Sequence, residues 1–385
     1  MWADDLGHAV LLGDRDVAAP LRAAGVPVTV VCGRIAAVRF SRYTSGWLDR
    51  PRADGDTLVS ALLEHARRAS GPVVLYYEED DDLLFVSRHR EQLARELRFV
   101  IPDAGLVEAL VDKAAFQQLA DRLDLPVPPT KVLDLSRAVP DVKDTTFPVI
   151  VKPLRREPQW RTVTAAKAVL ITHPAELRDL LERLAPHHPR VLLQQHIPGS
   201  ETHIESYHVY VDREGEVAAE FTGRKLRTHP PSLGHSTALI TTAAPDVARL
   251  GRALTQTLRL RGVAKFDFKR DPEGRLWLLE VNPRFNLWHH VGAAAGVNIP
   301  AVVWADLVGL PRPPAASARP GLTWCKMERD WLAAREDGMS MAAWLQWLAR
   351  CDTRSFGDPL RWLAGKVPHA GARGARPRRV GMRHG

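Results

Sequence analysis

The chain has little to hold it together by covalent or metal chemistry. Its 385 residues include three cysteines, Cys32, Cys325 and Cys351, widely spaced and without a CxxC pair. That excludes a disulfide framework and a zinc ribbon, and it suits a reducing compartment. No apolar run approaches the length a membrane helix needs, so no membrane span is expected. The first ten residues, MWADDLGHAV, carry acids where a secretory leader carries bases, and a cytoplasmic location is the expectation. The glycine-rich dinucleotide fingerprint is also missing, since the first strand-like run ends in Gly13-Asp14-Arg15-Asp16. The fifteen histidines form no HExxH or HxxxH spacing, and neither His187-His188 nor His289-His290 converges well on one metal.

What is present is an ordinary globular composition, 45% hydrophobic and 25% charged, which excludes disorder as the dominant state. The formal charge of +8 is misleading. Residues 364–385 hold six bases and no acid, which leaves 47 bases against 45 acids in the other 363 residues. The basicity therefore belongs to a Gly/Pro/Ala/Arg tail expected to be disordered, and specific nucleic-acid binding is not expected of the body.

Short apolar runs alternate with amphipathic stretches through the first hundred residues. Strands are expected at residues 8–13, 26–31 and 72–77, with helices at 57–69 and 93–97. That alternation points to an α/β domain with an open parallel sheet, whose ligands sit at the carboxyl ends of its strands. The acid run Glu78–Asp82 lies there and reads either as a solvated turn capping the next helix or as a trap for a substrate ammonium. One amphipathic helix is expected over 112–125. A second α/β unit follows, with strands at 149–152 and 191–195 and a helix at 175–184. Two hairpins come next, 203–227 and 265–282, with a helix at 246–261 between them. A proline-rich linker at 311–320 precedes a segment holding five of the eleven tryptophans.

The strongest chemical signal is in the second hairpin. Glu280 and Asn282 are two apart on a strand and project from one face, where an antiparallel partner can bring Asp267 opposite them. Two carboxylates and an amide oxygen make a hard-oxygen site suited to Mg²⁺. Lys265 and Arg284 add fixed positive charge beside it, where a transferring phosphoryl group needs stabilising. Lys152, at the end of an otherwise buried strand, must find an anion.

The order DK…FQQLADRLDLPVPPT, FPVIVKP, QQHIPGSE, a basic hairpin, KFDF and EVNPRFN resembles the ATP-grasp superfamily. SRY at 41–43, YYEEDDDLLFVSRHREQL and FTGRKLR further resemble its carboxylate–amine ligase branch, which includes D-aspartate ligases. The resemblance covers roughly residues 8–310. It implies an ATP-grasp fold with an N-terminal α/β domain at 1–108, a helix and small lid at 109–192, and a large subdomain at 193–312. A helical appendix at 313–363 and the basic tail at 364–385 would follow.

The resemblance also implies roles. Lys113 and Lys152 contact ATP phosphates. Gln194, Gln195, His196 and Ile197 form the hinge that holds adenine, mostly through backbone groups, and Glu201 binds the ribose hydroxyls. Asp267, Glu280 and Asn282 hold two Mg²⁺ ions, with Mn²⁺ as an alternative. Lys265 and Arg284 stabilise an acyl-phosphate and the tetrahedral intermediate, and Lys225 points at phosphate or the substrate carboxylate. The expected activity is ATP-dependent amide-bond formation between small-molecule substrates, amino acids first among them, with a homodimer as the assembly to test.

Two departures stand out. The hinge has Gln195-His196 where the branch usually has Glu-Tyr. The lid segment LRREPQWRTVTAAK has no glycine, leaving Arg155, Arg156, Arg161 and Lys167 as candidate phosphate clamps. The competing readings are a bicarbonate-activating carboxylase and a non-catalytic ATP-binding scaffold. The continuation FNLWHHV, where biotin carboxylases have VEH, disfavours the first.

Overall fold

The computed structural model describes residues 7–13, 17–33, 36–51, 55–136, 140–142, 144–154, 160–164, 166, 168–231 and 234–354. The basic tail, Trp362, Asp14–Asp16, Arg155, Arg156, Lys167 and the Arg161 side chain lie outside them.

The N-terminal unit contains β1 (His8–Leu12), α1 (Ala18–Ala23), β2 (Val28–Cys32), β3 (Gly46–Asp49), α2 (Gly55–Arg67), β4 (Val73–Tyr77), α3 (Asp80–Arg88), α4 (Arg90–Leu93) and β5 (Leu97–Arg98). Its five strands are all parallel, in the order β3-β2-β1-β4-β5. β1, β2 and β4 are buried almost throughout, as strands covered on both faces must be. The helix expected over 93–97 instead ends at Leu93, because Leu97 pairs with Val73 to close the sheet edge.

Two helices follow, α5 (Ala104–Val111) and α6 (Lys113–Arg122). The single helix expected over 112–125 starts only after Asp112, whose carboxylate accepts from the Ala114 and Ala115 amides at 2.9 and 3.0 Å. That cap sets the first turn of α6, and with it Lys113, at a fixed point.

The small sheet contains β6 (Thr130–Asp134), β7 (Val149–Pro153), α7 (Trp160–Val163), β8 (Val169–Ile171), α8 (Pro174–Leu184) and β9 (Arg190–Gln195), with strand order β6-β9-β7-β8. Val149, Val151, Val191 and Leu193 pack on Leu177, Leu180, Leu181 and Leu184 of α8. Alternation then turns Ile150, Lys152, Leu192 and Gln194 to the opposite face. The division expected between residues 192 and 193 falls inside β9.

The large sheet is built from β10 (Ile204–Val211), β11 (Val217–His229), β12 (His235–Thr242), α9 (Pro245–Thr257), β13 (Gly262–Arg270), β14 (Leu276–Asn282), α10 (Trp288–Ala294), α11 (Ile299–Val308), β15 (Thr323–Cys325), α12 (Met327–Glu336), α13 (Met341–Arg350) and β16 (Thr353–Arg354). Seven strands run in the order β14-β13-β10-β11-β12-β15-β16. Two features escape the sequence pattern. β12 extends the first hairpin to three strands. The tryptophan-rich segment has the expected helices, α12 and α13, and β15 and β16 also join it to this sheet. Asp330 of α12 anchors that segment: it takes Arg227 in a bidentate pair at 2.9 and 2.7 Å, Thr237 at 2.9 Å and the Trp344 indole at 3.0 Å.

Tyr76, Phe285, Trp288 and Trp304 share one core with β1 and β2, so the chain after β14 is packed against the N-terminal sheet. The Phe285 amide donates to the Tyr77 carbonyl at 3.2 Å, and the Tyr76 hydroxyl to that of Pro300 at 3.0 Å. No single helix among the described residues is long and apolar enough to cross a membrane.

Candidate active site

β13 and β14 form because apolar residues on one face bury against α9 while the other face keeps its polar groups. Phe266, Phe268, Leu278 and Val281 lie in the same core as Val247 and Leu254. The register places Asp267 opposite Glu280 and Lys265 opposite Asn282, and slips by one residue between Asp267 and Phe268. That bulge lets Leu278 and Val281, three apart in sequence, both reach the core while Glu280 and Asn282 stay on the opposite face.

The resulting cluster is tight. The Lys265 ammonium is 2.6 Å from Asp267 Oδ2 and 3.9 Å from Glu280 Oε1. Ser206, opposite Asp267 on β10, donates its hydroxyl to Asp267 Oδ1. The Asn282 amide nitrogen donates to Glu280 Oε1 at 3.0 Å, which leaves its carbonyl oxygen for another partner. Asp267 is 2% exposed, whereas 58% of the Glu280 side chain meets solvent. Desolvation pulls the Glu280 carboxyl upward, but the charges of Lys265 and Lys225 and the hydrogen bond from the Asn282 amide hold it well below the usual carboxylate range. These oxygens fit a divalent cation: the donors are hard, convergent and already balanced by a lysine.

His208, opposite Lys265 on β10, and His289 are fully buried, and their ring nitrogens have no partner among the described residues. Burial keeps both neutral, with His289 lowered to about 3. The pair is therefore part of an aromatic floor with Phe221 and Trp288.

The small sheet supplies the facing wall. Lys152 donates to Gln194 Oε1 at 2.8 Å, and Gln194 donates to the Thr130 hydroxyl at 3.0 Å. Desolvation lowers Lys152 to about 8, with Lys113 adding to the shift and Glu280 and Glu201 opposing it. Lys113 donates to the Pro153 and Leu154 carbonyls at 3.1 and 3.4 Å, which ties α6 to the end of β7. At the hinge, the Gln195 and His196 amides are bound to the carbonyls of Pro129 and Pro148, and Ile197 is buried. The Gln195 side chain lies away from this cleft, in a cavity of about 470 Å³ lined also by Asp121, Lys131 and Leu193. Glu201 opens a short turn, Glu201–His203, just beyond the hinge.

Arg284 faces the N-terminal unit. Its Nε is 2.5 Å from Asp80 Oδ1, and its Nη1 donates to the Glu78 carbonyl at 2.7 Å. The acid run is solvated in part: Glu79, Asp80 and Asp81 are exposed at the start of α3, while its two ends are buried. Glu78 and Asp82 are 2% and 1% exposed, Asp82 takes Arg50 at 2.6 Å, and Glu78 Oε1 accepts from the Val17 amide. One buried cation of this cleft escapes the sequence pattern. Lys269, 4% exposed, donates to the Gly199 and Ser200 carbonyls at 2.7 and 2.6 Å. Its place two residues beyond Asp267, on the same strand face, was the available signal.

A parallel sheet, a small antiparallel sheet carrying a lysine, and a large antiparallel sheet carrying paired carboxylates together define the ATP-grasp fold, which this chain has. Residues 187–329 match the family described as ATP-grasp in the biosynthetic pathway with Ter operon. The chain is 25% identical over 237 residues to a D-aspartate ligase of Enterococcus faecium, an alignment covering 58% of this chain and 56% of that enzyme. It thus spans little more than half the length of that relative. Among solved structures, biotin carboxylase from Campylobacter jejuni superposes with a TM-score of 0.62 at 14% identity, covering 83% of this chain and 75% of that one. An L-amino acid ligase from Bacillus licheniformis gives 0.60 at 14% identity, covering 82% and 77%.

Proposed function

We propose that the protein is an ATP- and Mg²⁺-dependent ligase that joins a carboxylate to an amine through an acyl-phosphate, releasing ADP and phosphate. The observation that carries this reading is the register of β13 on β14, which sets Asp267 against Glu280 and Lys265 against Asn282 on one open face. The likeness to D-aspartate ligase and to an L-amino acid ligase supports amino acids as substrates.

A carboxylate is a poor electrophile because its leaving group would be oxide. Accepting the γ-phosphoryl group converts it to a mixed anhydride, from which an amine displaces phosphate. Such a reaction needs its polyanionic partners positioned and their charge neutralised, and needs no protein nucleophile. Asp267, Glu280 and Asn282 are the residues that would hold two Mg²⁺ ions. Bound there, Mg²⁺ supplies charge neutralisation along the phosphates. Lys113 and Lys152 bind phosphate from the lid side, the backbone at Gln194–Ile197 holds adenine, and Glu201 takes the ribose. Lys265 and Arg284 meet the acyl-phosphate and the tetrahedral intermediate. Lys225, whose charge already acts on Glu280, binds phosphate or the substrate carboxylate.

The test is product analysis with ATP, Mg²⁺ and a matrix of amino acids and small carboxylates, with Glu280→Gln as control. ADP and phosphate should form only with particular pairs and vanish in the variant. AMP and pyrophosphate would instead mean adenylation, and ADP with bicarbonate alone would mean a carboxylase.

A further inference from the structure

Lys269 is the buried cation that the proposed chemistry leaves without a task. It stands on β13 on the same face as Lys265 and Asp267, opposite Ile204 of β10. Its hydrogen-bond acceptors are two neutral carbonyls, those of Gly199 and Ser200. An ammonium offers three protons, so these two bonds leave one for another acceptor. Glu201 and Lys225 lie near enough for their charges to act on it. Burying a full charge against neutral carbonyls is costly unless an anion or a polar ligand completes its shell.

The two carbonyls are placed with purpose. They belong to the turn Pro198-Gly199-Ser200, which joins the hinge to the short helical turn opened by Glu201. Gly199 there has φ +107, and a β-carbon on it would come within 2.6 Å of His203 Nδ1. The backbone of this turn is therefore drawn tight, and Lys269 holds two successive peptide units of it from below.

We propose that Lys269 is a positioning residue for the nucleotide ribose: it fixes the 198–200 turn so that Glu201 meets the ribose hydroxyls, and gives its remaining proton to the same diol. Together the two residues make the site prefer a ribonucleotide over its 2′-deoxy counterpart. This rests on the nucleotide site proposed above.

The experiment is calorimetric titration of the full chain with Mg-ATP and with Mg-2′-deoxyATP, for wild type, Lys269→Met, Lys269→Arg and Glu201→Gln. Wild type should bind ATP about tenfold more tightly than 2′-deoxyATP, the value of one hydrogen bond of about 1.4 kcal/mol. Lys269→Met should weaken ATP about tenfold and 2′-deoxyATP far less, so that the preference collapses, and Lys269→Arg should restore part of it. Glu201→Gln, at a partly exposed position, should remove the same preference. Equal weakening of both nucleotides in Lys269→Met, or a preference that survives either substitution, overturns the inference and leaves Lys269 a structural brace. Wild type that binds neither nucleotide overturns the nucleotide site itself.

Discussion

Two ion pairs of the large sheet, Arg227–Asp330 and Lys265–Asp267, are built differently. Arg227–Asp330 is closed: both Asp330 oxygens are occupied by Arg227, Thr237 and Trp344, and the Trp347 ring lies 4.0 Å from the guanidinium carbon. Lys265–Asp267 is open: beside it stand a Glu280 carboxylate that is more than half exposed and an Asn282 carbonyl oxygen with room for a partner. A pair whose hydrogen-bonding capacity is spent within the protein joins elements. A pair with an exposed carboxylate and a free amide oxygen beside it leaves room for a ligand.

The contrast breaks most sharply at Asp330. Asp330→Ala should cost about 3–5 kcal/mol, because it strands a buried guanidinium. Thermal or denaturant unfolding should register that loss, while turnover per folded molecule stays near wild type. Glu280→Gln should do the reverse: turnover should fall on the order of 10²- to 10³-fold, the scale of one electrostatic contact at a developing charge. Its melting temperature should hardly move.

Lys152 sharpens the comparison through pH. Its lowered value, about 8, means that a growing fraction is neutral as pH rises through 8 and 9. Mg-ATP affinity should therefore weaken across that window, well below the range where an ordinary lysine titrates. Binding near pH 8 should also take up a proton, visible as buffer-dependent heats. The free protein behaves oppositely. A lysine depressed in the folded state binds fewer protons than in the unfolded state, so its contribution to stability rises between about pH 8 and 10. A pH-independent affinity would remove Lys152 from the phosphate site. The smallest effect is expected at Gln195, whose side chain lies behind the hinge: Gln195→Ala should change nucleotide binding by about 0.5 kcal/mol or less.

Much of this arrangement was legible in the residue pattern, for local reasons. Alternation on the second hairpin put Glu280 and Asn282 on one face, and the turn at Asp271–Gly274 fixed which strand pairs with which. Strand–helix alternation in the first hundred residues likewise announced a parallel sheet. Composition was right for only part of the acid run. Glu79, Asp80 and Asp81 are exposed, yet Glu78 and Asp82 are buried because Arg50, Arg284 and the Val17 amide reach them from elsewhere in the chain. The tryptophan-rich segment has the expected helices, α12 and α13, but its edge strand β15 is only three residues long and pairs with β12 across some eighty positions, which no local pattern shows.

The sequence by itself determined the ATP-grasp resemblance, the paired carboxylates and the lysine at the end of β7, because strand periodicity and turn chemistry act over a few residues. Only the tertiary structure decided that Arg284 would bind the end of β4, that Gln195 would turn away from the cleft, and that Lys269 would hold the turn before Glu201. Those contacts join segments from about 70 to more than 200 positions apart, or depend on which face of a sheet a helix covers. Neither distance nor covering is written in any local window.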